Sequence, residues 1–491
     1  MKLTKKLEFW ADSFHEGDWA CKGLEKKFKL TNSEYLNGFV PQYTYDLDSD
    51  IYLEITVYGA YKNWSPLPRP IADLLDWGKP DLIVYDPESQ KIILAVEETA
   101  AVPTGNQALQ RCERIYGSAR VLIPFWYLLS EFGRHIDGGI RTDSIWPTIL
   151  SLKLSCIKRN PNMVLHYASL DNPENYDYGQ GMAELFLAIS TEIKIWAGLI
   201  VRKDMTPILE RQYSQMLDFI KRQWSRMLDF LPGEKEMNNP TTAKDIASFV
   251  MSDDKTSKIS FENFLTWGKT TDLPKTVHEK IQPGGYIKED KFVVELEKIV
   301  QAKKAYTLSS NAGSRPQLKE SVEEWISQQK KLFNSNDTDA KFSMNINDFP
   351  LSATGRLHIT TAKNVFFLCD SWEDVSVALI KAYPRLNDIK NKYNKNDGVL
   401  VYISNNMKPG RIFGDPFTGQ LAAFANIFGK NLVGEKERII LSYYPHQVHT
   451  QLFDKSSNLK KNKGTTIMKE LVDLAVFHSG VLINFESMEI L

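Results

Sequence analysis

Three carboxylates stand at the ends of two apolar stretches of the chain. Asp81 follows the turn-forming residues Gly78 and Pro80 and precedes the run LIVY, whereas Glu97 and Glu98 follow the run KIILAV. Carboxylates that converge at the rim of a buried sheet repel each other, and burial raises that cost. A shared proton, an arginine or lysine, or a hard divalent cation with oxygen ligands relieves the repulsion. The acids therefore indicate a candidate Mg²⁺ site, where the ion would polarise a phosphoryl oxygen and activate a bound water.

A β-hairpin would bring these acids together. DLIVYD and KIILAVEET have the composition of two strands, joined by the polar stretch DPESQ. Because alternate residues of a strand share a face, Glu97 and Thr99 fall on one face and Glu98 on the other. Asp81 can then approach Glu97, and a slip of one residue would put Glu98 on the metal face instead. The alternative is a surface hairpin whose acids face solvent, which the apolar run before Glu97 disfavours.

The stretch TGNQALQRCERIYG, which follows the second strand, predicts a helix. Gln107, Arg111 and Arg114 are spaced i, i+4 and i+7, so they share one face, with Gln110 beside them. If that face looks toward Glu97, Gln107 and Arg111 could bind a phosphate, since arginine prefers bidentate phosphate contacts. The alternative is a solvated helix surface. Glu25 and Glu34, expected on N-terminal helices, are further carboxylates that could orient a metal ion.

The pattern GKPDLIVYD…KIILAVEET resembles the core of the PD-(D/E)xK nuclease superfamily, whose members have the restriction-endonuclease-like fold. The resemblance covers residues from about 50 to about 150 and includes the helix after the second strand. It implies that Asp81 and Glu97 are the ligands of Mg²⁺. The family's lysine position falls on Thr99, which can form hydrogen bonds but carries no charge. The resemblance therefore implies that another residue supplies the missing charge, and Arg111 and Gln107 are the candidates.

This resemblance implies an Mg²⁺-dependent, sequence-specific endonuclease for double-stranded DNA, namely a type II restriction enzyme. A recognition region separate from the nuclease domain would suit a type IIS enzyme. Because cutting two strands requires two active sites, a homodimer on DNA is expected, and a companion DNA methyltransferase is expected in the cell. Two alternatives stay open. One is a DNA-binding protein whose nuclease core is inactive, which Thr99 favours, and the other is a defence or repair nuclease acting on single strands or RNA.

The alternation of strands and helices predicts an α/β (α+β) protein with a mixed-sheet core. We expect a nuclease domain over residues 1–200, a connecting helix and linker over 201–242, and a DNA-recognition region over 243–491 that could divide near 330–345. This last region contains three strand candidates, NVFFLCD, GVLVYIS and RIILSYY. It would be a mixed α/β region that reads bases in a groove.

The segment RQYSQMLDFIKRQWSRMLDF repeats itself with a period close to three helical turns. It predicts a helix with one apolar stripe, which would either pack on the chain's own core or serve in dimerisation or in spanning DNA. The residues of the stripe are Tyr213, Met216, Leu217, Ile220, Trp224, Met227 and Leu228.

Composition gives the setting for this chemistry. The chain has 491 residues, of which 43% are hydrophobic and 25% charged, and its formal net charge is −1. These values are typical of a folded globular protein, and they give no overall basic excess that would indicate nucleic-acid binding. The four cysteines are too dispersed for a zinc site or a disulfide framework. No secretory signal or membrane-spanning stretch is evident, so the cytoplasm is the expected location.

Weaker signals lie in the polar loops of the C-terminal half. His446 and His449 could be a ligand pair, although a third ligand is lacking. GRIFGDPFTGQ is glycine-rich but lacks the Lys-Ser/Thr ending of a phosphate loop. Four lysines of one loop are either solvated surface or phosphate contacts. They are Lys455, Lys460, Lys461 and Lys463.

Overall fold

The structure is a computed structural model, and it divides the chain into two compact units, which we describe separately. The first lies mainly within residues 2–222, and the described part of the second lies mainly within residues 358–490. Each unit is a mixed β-sheet with helices, as the α/β (α+β) prediction required. The described residues are 2–99, 105–134, 140–142, 146–158, 160–169, 180–229, 358–360, 364–369, 371–404, 417–429, 438–444, 459–477 and 481–490.

The first unit contains one nine-stranded sheet. Its strands are β1 (Leu3–Ala11), β2 (Lys29–Leu36), β3 (Val40–Asp48), β4 (Ile51–Tyr58), β5 (Leu82–Asp86), β6 (Lys91–Thr99), β7 (Phe125–Arg134), β8 (Ile140–Thr142) and β9 (Asn162–Ser169). Its helices are α1 (Phe14–Leu24), α2 (Arg69–Leu75), α3 (Gly105–Gln110), α4 (Cys112–Arg120), α5 (Trp146–Lys158), α6 (Gln180–Trp196) and α7 (Thr206–Asp229). Short 3₁₀ turns cover Tyr61–Asn63 and Arg202–Met205.

The strand order of this sheet is β2-β3-β4-β1-β5-β6-β7-β8, with β9 also paired to β7. Strand β5 runs antiparallel to both of its neighbours, β1 and β6. The carboxyl ends of β1 and β6 therefore lie at the same edge of the sheet as the amino end of β5. Strands β6, β7 and β9 are mutually parallel, and so are β1 and β4. This arrangement directs the residues that follow β1, precede β5 and end β6 toward one place.

Helix α1 packs on one face of the sheet at β1 and β4. A Cβ atom added at Gly17 would lie 2.3 Å from Cγ1 of Val57, so only glycine permits this close approach. Phe9, Ile55 and Val57, which alternate along β1 and β4 with more polar residues, are fully buried. Burial of such side chains stabilises the fold by about 1.5–3 kcal/mol each. The helix is thus fixed directly after β1.

Two helix predictions have different outcomes. The helix predicted for TGNQALQRCERIYG is interrupted at Arg111, whose φ of −80° and ψ of −11° form the junction between α3 and α4. The predicted helix at RQYSQMLDFIKRQWSRMLDF is confirmed over residues 211–229, which belong to α7. Tyr213 and Met216 are fully buried, and the ring of Phe219 stacks on His166 of β9 at 3.5 Å between centroids. This part of the helix packs on the chain's own core. The other stripe side chains, of Leu217, Ile220, Trp224, Met227 and Leu228, lie outside the described ones.

The second unit is a seven-stranded sheet whose strands are adjacent in chain order. Strands β12, β13 and β14 are parallel, and the other pairs are antiparallel. The three strands predicted in this half are confirmed as β11, β12 and β13. The strands are β10 (His358–Thr360), β11 (Asn364–Cys369), β12 (Gly398–Ser404), β13 (Arg438–Tyr444), β14 (Leu474–Phe477), β15 (Leu482–Asn484) and β16 (Glu489–Ile490). The helices are α8 (Trp372–Ala382), α9 (Phe417–Phe424) and α10 (Lys463–Leu471), with a 3₁₀ stretch at Pro384–Asn391 and a π turn at Ala425–Gly429.

Several sequence predictions fall outside the described residues. They are the linker at 231–242, the division near 330–345, the pair His446 and His449, Lys455, and the glycine-rich residues 410–416. Of the four cysteines, Cys21 and Cys112 are buried and form no disulfide bond within the part of the chain that the structure describes. None of the helices in the described ranges combines the length and the apolar character needed to cross a membrane.

Candidate active site

The acids predicted to converge do so at the edge of the first sheet. Asp81 lies directly before β5, and its Oδ2 accepts a hydrogen bond of 2.7 Å from the backbone nitrogen of Glu98. The backbone carbonyl of Asp81 accepts a bond of 3.1 Å from the amide of Asp12, the residue after β1. The carbonyl of Pro80 accepts a bond of 2.7 Å from the hydroxyl of Tyr61. The turn that presents Asp81 is therefore held by three separate segments.

Two arginines neutralise Glu97, whose side chain is fully buried. Arg111 Nε donates to Glu97 Oε1 at 3.0 Å, and Arg114 Nη1 donates to the same oxygen. Arg114 Nη1 also lies 3.6 Å from Asp81 Oδ1, so one guanidinium contacts both carboxylates. A shared proton, a basic side chain or a divalent cation could relieve the repulsion between Asp81 and Glu97, and in the structure an arginine does so.

The chain brings Arg114 this close by means of Gly78. A Cβ atom added there would lie 2.9 Å from Cγ and 3.0 Å from Cα of Arg114, which is closer than real Cβ contacts. Glycine in the sequence WGKPD therefore permits α4 to rest on the turn before β5. Trp77 completes this contact, because its ring packs edge-on against Tyr116 of α4 at 5.8 Å between centroids.

One charged cluster contains Asp81, Glu97, Glu98, Arg111 and Arg114. Burial and neighbouring charges shift the pKa values of Asp81, Glu98 and Arg114. Burial, and then the charge of Glu97, raise the pKa of Asp81 well above its ordinary value, although Arg114 opposes this. Burial lowers the pKa of the Arg114 guanidinium, but the charges of Glu97 and Asp81 outweigh burial and raise it overall. Arg114 therefore stays charged between the two carboxylates.

Glu98 differs from Glu97 because no arginine of the described residues contacts it. Burial, followed by the charges of Glu97 and Glu16, raises the pKa of Glu98 from 4.5 to about 8. Burial also raises the pKa of Glu16, with smaller contributions from Asp12 and Glu97. Glu98 is therefore mostly protonated at neutral pH, and it can keep a proton near the other acids.

Glu16 and Asp12 are members of this cluster that the sequence reasoning missed. Ser13 caps the amino end of α1, and the side chain of Glu16 accepts a hydrogen bond from the backbone nitrogen of Ser13. The capping-box pattern Ser-x-x-Glu directly after a strand was the available signal. The prediction that Glu34 lies on a helix is wrong, because Glu34 lies in strand β2 and is exposed. Glu25 follows the last residue of α1, at the end opposite Glu16, and is also exposed.

Thr99 lies at the position of the expected lysine and is bound by tyrosines. Its side chain is only 4% exposed, and its hydroxyl lies 3.1 Å from the hydroxyl of Tyr127 on β7. The hydroxyl of Tyr167 donates to the carbonyl of Thr99 at 3.5 Å. This position therefore contributes a neutral hydroxyl pair in place of a charge.

The helix face that was predicted to lie toward Glu97 contacts it through Arg111 and Arg114. Gln110 accepts a hydrogen bond of 3.3 Å from Arg111 Nη1, which steadies that side chain. Gln107 lies in α3, and its side chain is outside the described ones. The solvated-surface alternative is therefore wrong for Arg111 and Arg114.

The donor set is compatible with a hard cation. Glu97 Oε2 and Glu98 Oε1 are buried without a hydrogen-bond partner among the described residues. Mg²⁺ takes oxygen ligands, commonly one or two carboxylates completed by water and substrate phosphates. No group of three or more His, Cys, Asp or Glu within the described residues is placed to hold a metal ion. Asp81 and the second oxygen of Glu97 could thus hold Mg²⁺ only with further ligands from beyond the described residues, such as water or substrate oxygens.

Comparisons with protein-family models, with curated proteins and with solved structures found no match for this chain. The residues of the cluster and their contacts are therefore the basis for the functional proposal.

Proposed function

We propose that the chain is an Mg²⁺-dependent endonuclease that hydrolyses phosphodiester bonds in double-stranded DNA, on a restriction-endonuclease-like fold. One observation supports this proposal above the others. Asp81 and Glu97 come from adjacent antiparallel strands to a single place, where the same guanidinium contacts both. Two carboxylates that can hold a cation, beside an arginine that can reach an anion, are groups that can support hydrolysis of a phosphodiester.

The proposed roles follow from the contacts. Asp81 and Glu97 would hold Mg²⁺, which when bound polarises the phosphoryl oxygen and lowers the pKa of a bound water. Arg111 would bind the non-bridging oxygens and stabilise the charge that develops in the transition state, while Arg114 would stay between the two acids. Glu98 would hold a proton close to the reacting groups. Thr99 and Tyr127 would form hydrogen bonds with the phosphate through their hydroxyls. Gln107 is a further candidate for contact with the phosphate.

The wider proposal is a type II restriction enzyme, and a type IIS enzyme if the second unit recognises DNA apart from the cleavage site. The first unit would cut, and the second would read bases. A dimer on DNA would supply the second active site, since each chain has one such cluster within the described residues. A companion methyltransferase in the cell would protect the host's own sites.

Incubation of a sequenced plasmid with the full chain and Mg²⁺ tests this proposal, and sequencing of the ends gives the site and the cut position. Asp81→Asn should abolish cleavage because it removes a charged ligand and keeps the shape of the side chain. Glu88→Gln is the matched control, because Glu88 is an exposed acid at the opposite end of the same hairpin. The proposal is wrong if wild type leaves duplex DNA intact, and cleavage of single strands or RNA alone would indicate a defence or repair nuclease.

A second candidate function rests on Thr99. The neutral pair of Thr99 and Tyr127 lies at the expected place of a lysine, and Glu97 is already paired with two arginines. Both features fit a DNA-binding protein on a nuclease fold that does not cut. In that case wild type and Asp81→Asn would shift duplex DNA equally in a gel, and neither would cleave it with Mg²⁺.

A further inference from the structure

The two oxygens of Glu97 have different surroundings. Oε1 accepts hydrogen bonds from both Arg111 and Arg114, whereas Oε2 is buried without a partner among the described residues. In formal charges, the two arginines balance the carboxylates of Asp81 and Glu97. These four side chains thus neutralise one another in formal charge.

This balance opposes the binding of a cation alone. A divalent ion held by Asp81 and Glu97 would add two positive charges next to two guanidiniums in a largely buried place. An uncompensated buried charge is costly, and pairing or an added counter-charge lowers the cost. The arginines therefore compete with a cation for Glu97.

A phosphodiester would remove this competition, because it is an anion that guanidinium groups bind in a bidentate manner. Arg111 is the more accessible of the two arginines, with 26% of its side chain exposed against 16% for Arg114. Arg111 also stands at the junction of α3 and α4, whereas Arg114 lies against Gly78 inside α4. Arg111 can therefore leave Glu97 for a ligand while Arg114 stays between the two acids.

We propose that Arg111 is an exchange residue that passes from Glu97 to the phosphate, so that a divalent cation and a phosphodiester anion bind this site together and each strengthens the other. The proposal rests on the proposed function, and it adds the order in which the phosphate and the cation act on the site. The free protein keeps its acids paired with arginine, and the substrate's own phosphate makes Glu97 available. By linkage, the anion must raise the affinity for the cation by the same factor as the cation raises the affinity for the anion.

Calorimetric titration of the full chain with Mg²⁺ tests this coupling without any cleavage. The titration is made in buffer alone, with dimethyl phosphate as a small phosphodiester anion, and with neutral trimethyl phosphate as its matched control. Ionic strength is held constant with sodium chloride. We expect dimethyl phosphate to raise the affinity for Mg²⁺ about tenfold, within the usual range of coupling between sites, and trimethyl phosphate to leave it unchanged.

Arg111→Gln separates exchange from a merely structural role. Because the competing guanidinium is absent, the free variant should bind Mg²⁺ about tenfold more tightly than wild type, and dimethyl phosphate should add little. The control variant Arg120→Gln, which changes an exposed residue of α4, should behave as wild type. Equal affinities for Mg²⁺ in all three solutions, with no gain in Arg111→Gln, would overturn the exchange and leave the proposed function standing. Absence of Mg²⁺ binding in every solution and in both proteins would overturn the exchange and the proposed function together.

Discussion

Oδ2 of Asp81 lies 2.7 Å from the backbone nitrogen of Glu98, so a side chain at the start of β5 fixes the end of β6. This bond holds the two glutamates in register with Asp81. Asp81→Ala should leave the amide of Glu98 without this acceptor and reduce the free energy of unfolding by about 1–2 kcal/mol. Asp81→Asn keeps an acceptor oxygen and should lose less. Urea denaturation of both variants checks the expectation, and equal losses would show that the bond does not hold the strand end.

Removal of Arg114 should destabilise the protein strongly, because Glu97 is fully buried and Asp81 would lose the same partner. Arg114→Met should lower the free energy of unfolding by about 3 kcal/mol, as expected when one partner of a buried ion pair is removed. Addition of Glu97→Gln should recover part of this loss, since the unpaired charge is then absent. A double-mutant cycle in urea measures the coupling, and additivity within about 0.5 kcal/mol would contradict it.

Stability should depend on pH through Glu98. Its folded-state pKa of about 8 exceeds its ordinary value of 4.5, so between these values the folded chain binds more protons than the unfolded chain. The free energy of unfolding should therefore be largest below this interval and fall as pH rises through it. The raised pKa values of Asp81 and Glu16 act in the same direction.

Glu98→Gln should flatten this dependence, because glutamine does not titrate. Denaturation curves at several pH values across the interval, with Glu88→Gln as the exposed control, measure the slope. A slope in Glu98→Gln equal to that of wild type would place the titration elsewhere.

Introduction of a lysine at position 99 should not improve the proposed site. Thr99→Lys would put a third cation in a place that is 4% exposed and close to a tyrosine hydroxyl. We expect a loss of more than about 2 kcal/mol in the free energy of unfolding, because a buried charge is costly and Glu97, on the same face of β6, is already paired with two arginines. Thr99→Ser keeps the hydroxyl and is the matched control. A stable Thr99→Lys variant with faster Mg²⁺-dependent cleavage would show that the arginines do not replace the lysine.

Gly78→Ala tests the contact between the turn and α4. The added methyl group would meet Cγ and Cα of Arg114 at 2.9 and 3.0 Å, so the helix must shift. Overpacking of this kind costs about 1–3 kcal/mol. The shift should also weaken the bridge from Arg114 to Asp81, and thermal denaturation together with Mg²⁺ titration measures both effects. An unchanged melting temperature would mean that α4 is not held against this turn.

The sequence was sufficient for the hairpin of Asp81 and Glu97, because alternation and turn residues are local signals. The strands of the second unit and the helix containing Tyr213 were predicted for the same reason. The partner of Glu97 could not be predicted, since arginine, proton and cation all relieve the same repulsion and only tertiary packing chooses among them. The junction at Arg111 was missed because TGNQALQRCERIYG has no glycine or proline near that residue to indicate an interruption.

Glu16 was missed for a different reason. A capping box predicts where a helix begins, but the location of that helix relative to β6 depends on the pairing of β1 with β5, which is distant in sequence. Glu25 and Glu34 were chosen as acids of the same region without that information.

The position of β5 between β1 and β6 has a consequence for how the protein folds. Strand β1 pairs with β4 on one side, and the hairpin of β5 and β6 can form by itself, but Asp12 meets Asp81 only after these two pieces join. Contacts between residues so far apart in sequence form slowly, because the entropy of closing the loop must be lost first. We therefore expect the acidic cluster to form late in folding, so that a chain with only its local hairpins would have no competent site.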